Sequence, residues 1–392
     1  MALFPFPTAL VHEWFSPRSV GGAELVVQQL DQLLEPQLFS LVDGESCRPQ
    51  SWLAGRRIQT SFVQNLPWGR SHVQQYLPLL PLAIEQLDLS GYPLVLSSSH
   101  LVAKGVLTSP EQLHVSYVHT PVRYAWDQMH AYLSRSRLAQ SPLGPWIRWQ
   151  LHQLRQWDVL SASRPDRLIA NSRFTAQRIA RYWGRGATVL PPPVDVARFD
   201  WQQPRDKFYL SVCRLVPYKR VDLVVQACRE LDLPLVVVGD GPERSRLEAM
   251  AGPSTRFLGR CAAQEVEQLL ARCRAYVYAG LEDFGIAPVE AMASGAPVIG
   301  LGRGGLLDSV RCLSQEPAQA TGLLFADQQL HAVKAALQAF ESDGLWRQLP
   351  AERLRLHAEG FSEESFQQRL SSLLIDWVNQ HEICPQSPVP VG

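Results

Sequence analysis

The sequence predicts an α/β protein made of two halves, each built around a parallel sheet. Short apolar runs alternate with helical patterns along most of the 392 residues, and such repetition indicates β-α units with right-handed crossovers. Pro191–Pro193 interrupt the alternation. Three consecutive prolines lack backbone donors and prefer an extended form, so they predict a stiff linker. We therefore place a domain boundary between residues 192 and 193.

Composition places the chain among ordinary core-forming proteins, with 46% apolar and 19% charged residues. The formal net charge of +0 gives no bulk basic character, so we expect no nucleic-acid partner. Seven cysteines form no Cys-x-x-Cys pair, which favours reduced thiols. The first residues lack the basic start of a signal peptide, and no apolar run is long enough to span a bilayer. We expect a cytoplasmic protein.

The first half opens with an apolar run at residues 8–12, which predicts a strand. Gly21 and Gly22 follow it and precede a helical pattern. A strand, a paired-glycine turn and a helix can cradle an anion or another ligand, because glycine lets the backbone approach closely.

Two further strands are predicted at residues 92–97 and 113–118, and His119 follows the second. The carboxyl end of a parallel strand lies on the ligand-binding side of an open α/β sheet. His119 is therefore a candidate site residue.

The region 135–185 has an unbalanced charge, with ten arginines and only two aspartates, and contains Trp146, Trp149 and Trp157. Basic residues with tryptophan suit the interface of an anionic membrane. A solvated helical face with tryptophans in the core is the alternative, and the sequence leaves both open. Within the same half, residues 167–171 predict a strand, and Ser172 can cap the helix that follows.

The second half repeats the β-α pattern. Strands are predicted at 208–213, 235–238, 256–260, 275–279 and 296–299, with helices at 221–231, 243–250, 264–272 and 361–377. Arg214 and Lys219 lie on the loop after the first of these strands, where cations can bind a phosphate group.

The stretch 282–295 predicts a loop and a helix start directly after the 275–279 strand. Pro288 suits the first helical turn and Gly295 suits the helix end, which places Glu282 on the loop and Glu290 in the first turn. A helix N-terminus attracts a diphosphate, which would repel the two carboxylates. Binding sugar hydroxyls is the natural role of these glutamates, since a carboxylate accepts hydrogen bonds from a vicinal diol.

The stretch resembles the Glu-x7-Glu motif of the retaining nucleotide-sugar glycosyltransferases of family 4, through Glu282, Phe284, Gly285, Pro288 and Glu290. The resemblance implies the GT-B fold, with two facing Rossmann-like domains and an interdomain cleft. Residues 1–192 would then form the acceptor-side domain and residues 193–360 the nucleotide-sugar domain. Residues 361–380 would form a helix that returns to the first domain.

The resemblance also assigns roles to the candidate residues. Glu290 would hold the ribose hydroxyls, Glu282 and His119 would contact the transferred sugar, and Arg214 and Lys219 would bind the diphosphate. His119, Glu282, Arg214 and Lys219 are the candidate catalytic residues. The donor-binding set is completed by Gly21, Gly22, Gly241, Asp283, Phe284, Gly285, Ile286 and Glu290. Asp308 departs from the family, which often has a glutamate there.

The string from His119 to Asp127 resembles a subgroup that contains GDP-mannose-dependent mannosyltransferases of O-antigen synthesis. It predicts transfer of mannose from GDP-mannose to a glycan or lipid-linked saccharide, with retention, in cell-surface polysaccharide synthesis. A UDP-sugar donor is the alternative. For Arg123, Trp126 and Asp127, helix packing and capping are as compatible with the sequence as a role in the site.

No two aspartates are separated by one residue, so the chain lacks the Asp-x-Asp pair that commonly holds Mg²⁺ on a donor diphosphate. We expect Arg214 and Lys219 to replace the metal. We predict neither a metal nor a cofactor, because the nucleotide-sugar is a substrate.

Two hypotheses from other classes remain. Gly300, Gly302 and Gly305 fit a Gly-x-Gly-x-x-Gly pattern after a strand, with Asp327 near the distance of a ribose-binding acid, as in an NAD-dependent oxidoreductase. A non-catalytic binding protein is the second hypothesis. The presence of Glu282, Glu290, Arg214 and Lys219 together argues against it.

Overall fold

The computed structural model describes residues 3–16, 21–136 and 139–381. The chain divides into two compact units. Unit 1 comprises residues 1–191 together with 367–392, and unit 2 comprises residues 192–366.

Unit 1 contains a parallel sheet of seven strands, within the described residues. The strands are β1 (Thr8–Phe15), β2 (Gln37–Asp43), β3 (Ile58–Thr60), β4 (Leu94–Ser99), β5 (Leu113–Val118), β6 (Arg167–Ala170) and β7 (Thr188–Val189). Their order is β3-β2-β1-β4-β5-β6-β7, so the sheet reverses its direction of growth between β1 and β4. The helices are α1 (Gly22–Leu34), α2 (Leu80–Glu85), α3 (Met129–Arg135), α4 (Gly144–Ser161) and α5 (Arg173–Trp183).

Unit 2 contains a second parallel sheet, of six strands in the described part of the chain. They are β8 (Tyr209–Val212), β9 (Leu235–Val238), β10 (Thr255–Gly259), β11 (Ala275–Tyr278), β12 (Val298–Leu301) and β13 (Gly322–Phe325). Their order is β10-β9-β8-β11-β12-β13, with the reversal between β8 and β11. The helices are α6 (Val221–Glu230), α7 (Arg244–Met250), α8 (Ala263–Arg272), α9 (Ile286–Ala293), α10 (Leu306–Ser309), α11 (Leu330–Ser342) and α12 (Ala351–Glu359). A last helix, α13 (Glu363–Gln380), begins in this unit and lies mostly in unit 1.

Several strands are buried along their whole length, and in β9 and β11 this burial accounts for a continuous apolar sequence. β4, β5, β9, β11 and β12 have no exposed residue, as is typical of parallel strands covered by helices on both faces. The predicted α/β class with two parallel sheets is confirmed.

Local signals explain where several elements begin and end. The Ser172 hydroxyl accepts a hydrogen bond from the Thr175 N–H and caps α5, as predicted. The helix after the 282–285 loop begins at Ile286, two residues before Pro288. Glu290 is therefore the fifth residue of α9 and lies beyond its first turn, which corrects the predicted position.

Candidate functional site

The predicted cation and carboxylate loops of unit 2 leave two adjacent strands at the same edge of the sheet. β8 and β11 are paired at the point where the strand order reverses. Residues 213–220 follow β8, and residues 279–285 follow β11. Crevices at such a reversal are where open α/β sheets bind ligands. The fold thus brings together Lys219 and Glu282, which are 63 positions apart in sequence.

Lys219 and Glu282 form an ion pair, and Tyr278 donates its hydroxyl hydrogen bond to the same carboxylate oxygen. Burial alone would lower the pKa of Lys219, but the Glu282 charge outweighs it and the pKa is raised. Burial and the Glu282 carboxylate together raise the pKa of Tyr278, so its hydroxyl stays protonated. The ammonium is therefore a fixed positive charge at this edge of the sheet. Tyr278 was missed in the sequence, because its pattern there is only that of one more residue in a buried strand.

Arg214 and Gly241 lie on the loops after β8 and β9. Arg214 is exposed on the loop that also carries Lys219. The Gly241 N–H donates a hydrogen bond to Asp240 over 2.8 Å. A side chain at position 241 would lie against the Leu215 backbone, with its Cβ 2.8 Å from the Leu215 carbonyl carbon. The two loops are therefore in contact, and glycine at this position keeps them close.

The loop of residues 282–285 packs tightly against the glycines that follow β12. The Gly305 N–H donates to the Glu282 carbonyl oxygen over 2.9 Å. A Cβ at Gly304 would lie 2.6 Å from that oxygen, and one at Gly305 would lie 2.5 Å from the Asp283 oxygen. Such separations are closer than van der Waals contact, so both positions require glycine for packing inside the protein.

This packing bears on the Gly-x-Gly-x-x-Gly alternative. Gly300 lies inside β12, and the glycines at 304 and 305 accommodate the neighbouring loop. Asp327, the candidate ribose-binding acid, pairs with Arg303 over 2.7 Å. The glycine pattern therefore has a structural explanation that needs no dinucleotide.

The remaining donor-binding candidates of this loop differ in how far their side chains are exposed to solvent. The Phe284 side chain is 3% exposed and its ring lies 5.7 Å from that of Phe361. Ile286 packs against the same core. The buried Phe284 side chain leaves only its backbone to reach a ligand, whereas the Ile286 side chain is partly exposed. Gly285 has a φ of 90°, which favours glycine and turns the chain into α9.

Glu290 accepts a hydrogen bond from Arg198 over 2.7 Å. Burial raises the pKa of Glu290, and the Arg198 guanidinium opposes that shift. Arg198 was not among the residues selected from the sequence. It lies shortly after the three prolines, and that stretch predicted only an extended linker. Its position beside Glu290 is decided by the packing of residues 194–199 in unit 2.

In unit 1, the Gly21–Gly22 turn forms the start of α1. The Gly21 N–H donates to the Glu24 carboxylate over 2.8 Å, so this amide is already satisfied inside the turn. Residues 17–20, between β1 and the turn, lie outside the described residues.

His119 directly follows β5, as predicted. Its Nε2 lies 2.9 Å from the Ser98 hydroxyl, and its backbone N–H donates to the Ser99 carbonyl oxygen over 2.8 Å. Burial, with His100 and His12 adding to it, lowers the pKa of His119 to about 3. The imidazole is therefore neutral near pH 7 and can serve as a hydrogen-bonding group there.

Trp126 and Asp127 have internal partners. Trp126 donates its indole N–H to Asp158 over 2.8 Å, and its ring stacks on Tyr182 at 4.6 Å. Asp127 pairs with Arg178 over 2.8 Å. These contacts favour the packing interpretation for both residues.

The basic region 135–185 is less exposed than its sequence suggests. Arg178 is buried, and Arg155, Arg164 and Arg185 make internal hydrogen bonds. The Trp157 indole donates to Glu85 over 2.9 Å. Trp146 and Trp149, on α4, are 52% and 54% exposed. Arg137 lies outside the described residues, as does the side chain of Arg135.

The described residues contain neither a cluster of metal ligands nor a membrane-spanning helix. Over residues 3–16, 21–136 and 139–381, no three His, Cys, Asp or Glu side chains are grouped so that they could hold a metal ion. No helix in that same part of the chain has the length and apolarity needed to cross a membrane.

The chain matches two protein-family models that together cover most of its length. Residues 195–359 match "Glycosyl transferases group 1", and residues 20–198 match "Glycosyltransferase Family 4". A GDP-mannose-dependent alpha-mannosyltransferase of Corynebacterium glutamicum is 32% identical over 384 residues, which are 91% of this chain and 89% of that protein. The protein of the same name from Mycobacterium tuberculosis is 29% identical, over 77% of this chain and 80% of its own.

The fold is also that of known structures. The crystal structure of Anabaena HepE in complex with UDP has a TM-score of 0.67 and 16% identity, over 94% of this chain and all of the other. Together with the two parallel sheets, this likeness confirms the GT-B fold. The chain therefore belongs to the GT-B glycosyltransferases of family 4, the group 1 glycosyl transferases.

Proposed function

We propose that this glycosyltransferase moves a mannosyl group from GDP-mannose to a glycan or lipid-linked saccharide, with retention of configuration, in cell-surface polysaccharide synthesis. The observation that carries the donor assignment is the name of the Corynebacterium glutamicum relative, a GDP-mannose-dependent alpha-mannosyltransferase that is 32% identical over nearly the whole chain. Retention, the acceptor class and the biological role rest on the family resemblance. The nucleotide-sugar is the donor substrate, and the proposal includes no separate cofactor.

The cluster at the carboxyl edge of β8 and β11 has the chemistry that such a transfer needs. Breaking the glycosidic bond leaves negative charge on the departing diphosphate. Lys219 is a fixed cation, and Arg214 is exposed on the same loop. We assign both to the diphosphate, where a preorganised positive charge stabilises the leaving group. Glu282 holds the Lys219 ammonium in place before the donor binds.

The carboxylates and the histidine contact the sugars in this proposal. Glu282 accepts hydrogen bonds from the transferred sugar, and Glu290 from the ribose. The backbone of residues 283–286 lines the donor site, as does Gly241. We assign His119, which is neutral near pH 7, to a hydrogen bond with the transferred sugar, and Gly21 and Gly22 to the donor-binding set, both by the family resemblance. These roles follow the family motif residue by residue.

A UDP-sugar donor is the competing assignment, and the complex of HepE with UDP favours it. A thermal-shift and hydrolysis panel with GDP-mannose, UDP-glucose, UDP-N-acetylglucosamine and NADH separates the alternatives. We expect GDP-mannose to give the largest shift and the fastest hydrolysis. A preference of tenfold for either UDP-sugar, about 1.4 kcal/mol, would refute the mannose assignment. A shift with NADH alone would favour the oxidoreductase.

We also propose peripheral contact with the inner face of the membrane. The proposed contact surface is the start of α4, which is smaller than the whole region 135–185. Leu143, directly before α4, is exposed, as are Trp146 and Trp149 in the first half of that helix. Tryptophan suits the interface between lipid headgroups and acyl chains. Since several arginines of region 135–185 point inward, the proposed contact relies on these apolar side chains and on Arg148, which is exposed beside them.

A further inference from the structure

Glu13 is a fully buried carboxylate in β1 that no role assigned above explains. One of its oxygens, Oε1, lies within hydrogen-bond distance of five donors. They are the Ser99 hydroxyl at 3.2 Å and the backbone N–H groups of His100, Leu101, Val102 and Ala103 at 2.8–3.1 Å. Burial alone would raise the pKa of Glu13, but His100 and the backbone donors outweigh it and hold the pKa well below its ordinary value. Glu13 is therefore ionised.

The second oxygen of Glu13, Oε2, faces His100. It lies 3.0 Å from His100 Nδ1 and 3.8 Å from His12 Nδ1. His12 Nδ1 is also 3.2 Å from the Ser98 carbonyl oxygen, which can only accept a hydrogen bond, so His12 carries its proton on Nδ1. Burial lowers the pKa of His12 and keeps it neutral. The Glu13 charge raises the pKa of His100 against the effect of burial.

This pair lies where a ligand site is expected in unit 1. β1 and β4 are neighbours at the reversal of strand order, and His100 is the first residue after β4. The Glu13 side chain is inaccessible to solvent, whereas 27% of the His100 side chain is exposed. The carboxylate thus orients the imidazole from inside, and the imidazole reaches the carboxyl edge of the sheet.

An imidazole oriented by a buried carboxylate is the arrangement by which proteins present an imidazole nitrogen to a hydroxyl group. The 3.0 Å contact between His100 Nδ1 and Glu13 Oε2 favours the tautomer that carries its proton on Nδ1, which leaves the lone pair of the neutral ring on Nε2. Among the described residues, Glu24 adds a second carboxylate beside the histidines, and His12 and His119 are neutral, so these surroundings suit an uncharged hydroxyl group better than an anion. A saccharide hydroxyl fits this balance of charge.

We propose that His100 accepts a hydrogen bond from a hydroxyl group of the acceptor saccharide, and that Glu13 is the positioning residue that fixes the His100 ring and its tautomer. This inference rests on the proposed transfer to a saccharide. It adds a residue to the acceptor side that the family motif does not supply.

The test uses the full chain, GDP-mannose, and methyl α-mannoside as the acceptor probe. We expect His100→Gln to lower kcat/KM for the probe by about tenfold or more, the effect of losing one well-oriented hydrogen bond. The thermal shift with GDP-mannose and the rate of donor hydrolysis should stay unchanged. His130→Gln, an exposed histidine of α3, is the matched control and should retain transfer.

The dependence of the transfer rate on pH shows whether Glu13 positions and tunes His100 or only stabilises the fold. Transfer should decrease as the pH falls through the raised pKa of His100, because the imidazolium has no lone pair to offer. In Glu13→Gln the carboxylate charge is lost, so this acidic limb should move to lower pH. Among the described residues, the other titratable groups facing His100 are His12 in β1, Glu24 in α1 and His119 after β5, and none of them is changed.

The outcomes distinguish this inference from the proposed function. Full transfer by His100→Gln, or an equal loss of donor binding and transfer in that variant, would overturn the role of His100. An unshifted acidic limb in a folded Glu13→Gln would overturn the role of Glu13. If the wild-type chain neither binds GDP-mannose nor transfers to the probe, the proposed function fails, and the assignment of His100 fails with it.

Discussion

Individual side chains of unit 1 show how a buried charge is accommodated. Lys104 is 1% exposed, and its ammonium lies 2.7 Å from Asp158 between the rings of Trp157 and Trp183. The other Asp158 oxygen accepts the indole hydrogen bonds of Trp126 and Trp183. Every charge in this network has a partner, which is the condition under which an ion pair can be buried.

Removing one charged partner from this network should destabilise the folded protein. We expect Lys104→Met to lower the free energy of unfolding by about 3–5 kcal/mol, because Asp158 keeps a buried charge without its counterion. Urea denaturation of the variant measures the change. Lys334→Met is the control, since its pair with Glu230 is about one-third exposed on both sides, and it should cost less than about 1 kcal/mol. Equal losses in the two variants would contradict the interpretation.

Lys219 allows a residue-scale test of the donor site. We expect Lys219→Gln to reduce kcat by about a hundredfold or more, since removing one preorganised group from a developing charge costs about 3 kcal/mol. Steady-state kinetics with GDP-mannose measure this effect, and Lys207→Gln, an exposed lysine of unit 2, should behave as the wild type. Normal transfer by Lys219→Gln would remove this lysine from the mechanism.

His114 should make stability depend on pH. It is fully buried in β5, and burial lowers its pKa to about 3. Above about pH 6.5 the residue is neutral in both the folded and unfolded states. Between about pH 6.5 and 3 only the unfolded chain binds the proton, so the free energy of unfolding falls as the pH falls.

The contribution of His114 can be isolated by substitution. His114→Gln should reduce the slope of unfolding free energy against pH in that window, by at most about 1.4 kcal/mol per pH unit. Denaturation at a series of pH values measures the slope. His331→Gln, at an exposed position of α11, should leave it unchanged. An unaltered slope in His114→Gln would mean that this histidine does not titrate as described.

At the scale of elements, the position of the loop after β11 depends on the glycines after β12, which leave room for its backbone. We expect Gly305→Ala to destabilise the protein by about 1–3 kcal/mol and to weaken the thermal shift with GDP-mannose, because the new Cβ displaces residues 282–284. Gly186→Ala is the control, since a Cβ there meets nothing within 4 Å. Calorimetry with and without donor tests both effects. Unchanged stability would show that the loop can move aside.

Helix α4 carries the proposed membrane contact. We expect Trp146→Ser combined with Trp149→Ser to reduce cosedimentation with vesicles of phosphatidylglycerol and phosphatidylcholine, because the two exposed rings would be the groups that enter the interface. Trp68→Ser, at another exposed position, is the control. If the wild-type protein does not bind these vesicles, the membrane contact is refuted.

At the scale of the whole molecule, the proposed chemistry predicts independence from divalent metal ions. The chain has no Asp-x-Asp pair, and Lys219 and Arg214 provide fixed positive charge. We expect EDTA to leave the rate of transfer unchanged. Loss of activity under chelation, with recovery on adding Mg²⁺ or Mn²⁺, would show that a cation shared with the diphosphate does this work.

The sequence by itself determined the alternation of strands and helices, the two parallel sheets and the loops that carry the candidate site residues. These features depend on local periodicity and on turn residues, which neighbouring positions specify. The strand-end positions of His119 and of the residues around Glu282 followed from the same pattern. The family motif then indicated which of these loop residues to select.

Only the tertiary structure decided which side chains meet. Lys219 contacts Glu282 and Tyr278, and Glu13 contacts His100, because β8 pairs with β11 and β1 with β4. Strand order is set by packing between elements far apart in the chain, so no local pattern contains it. For the same reason, a run of arginines that suggested a basic surface proved to be turned partly inward, where carbonyl groups and carboxylates from distant segments satisfy it.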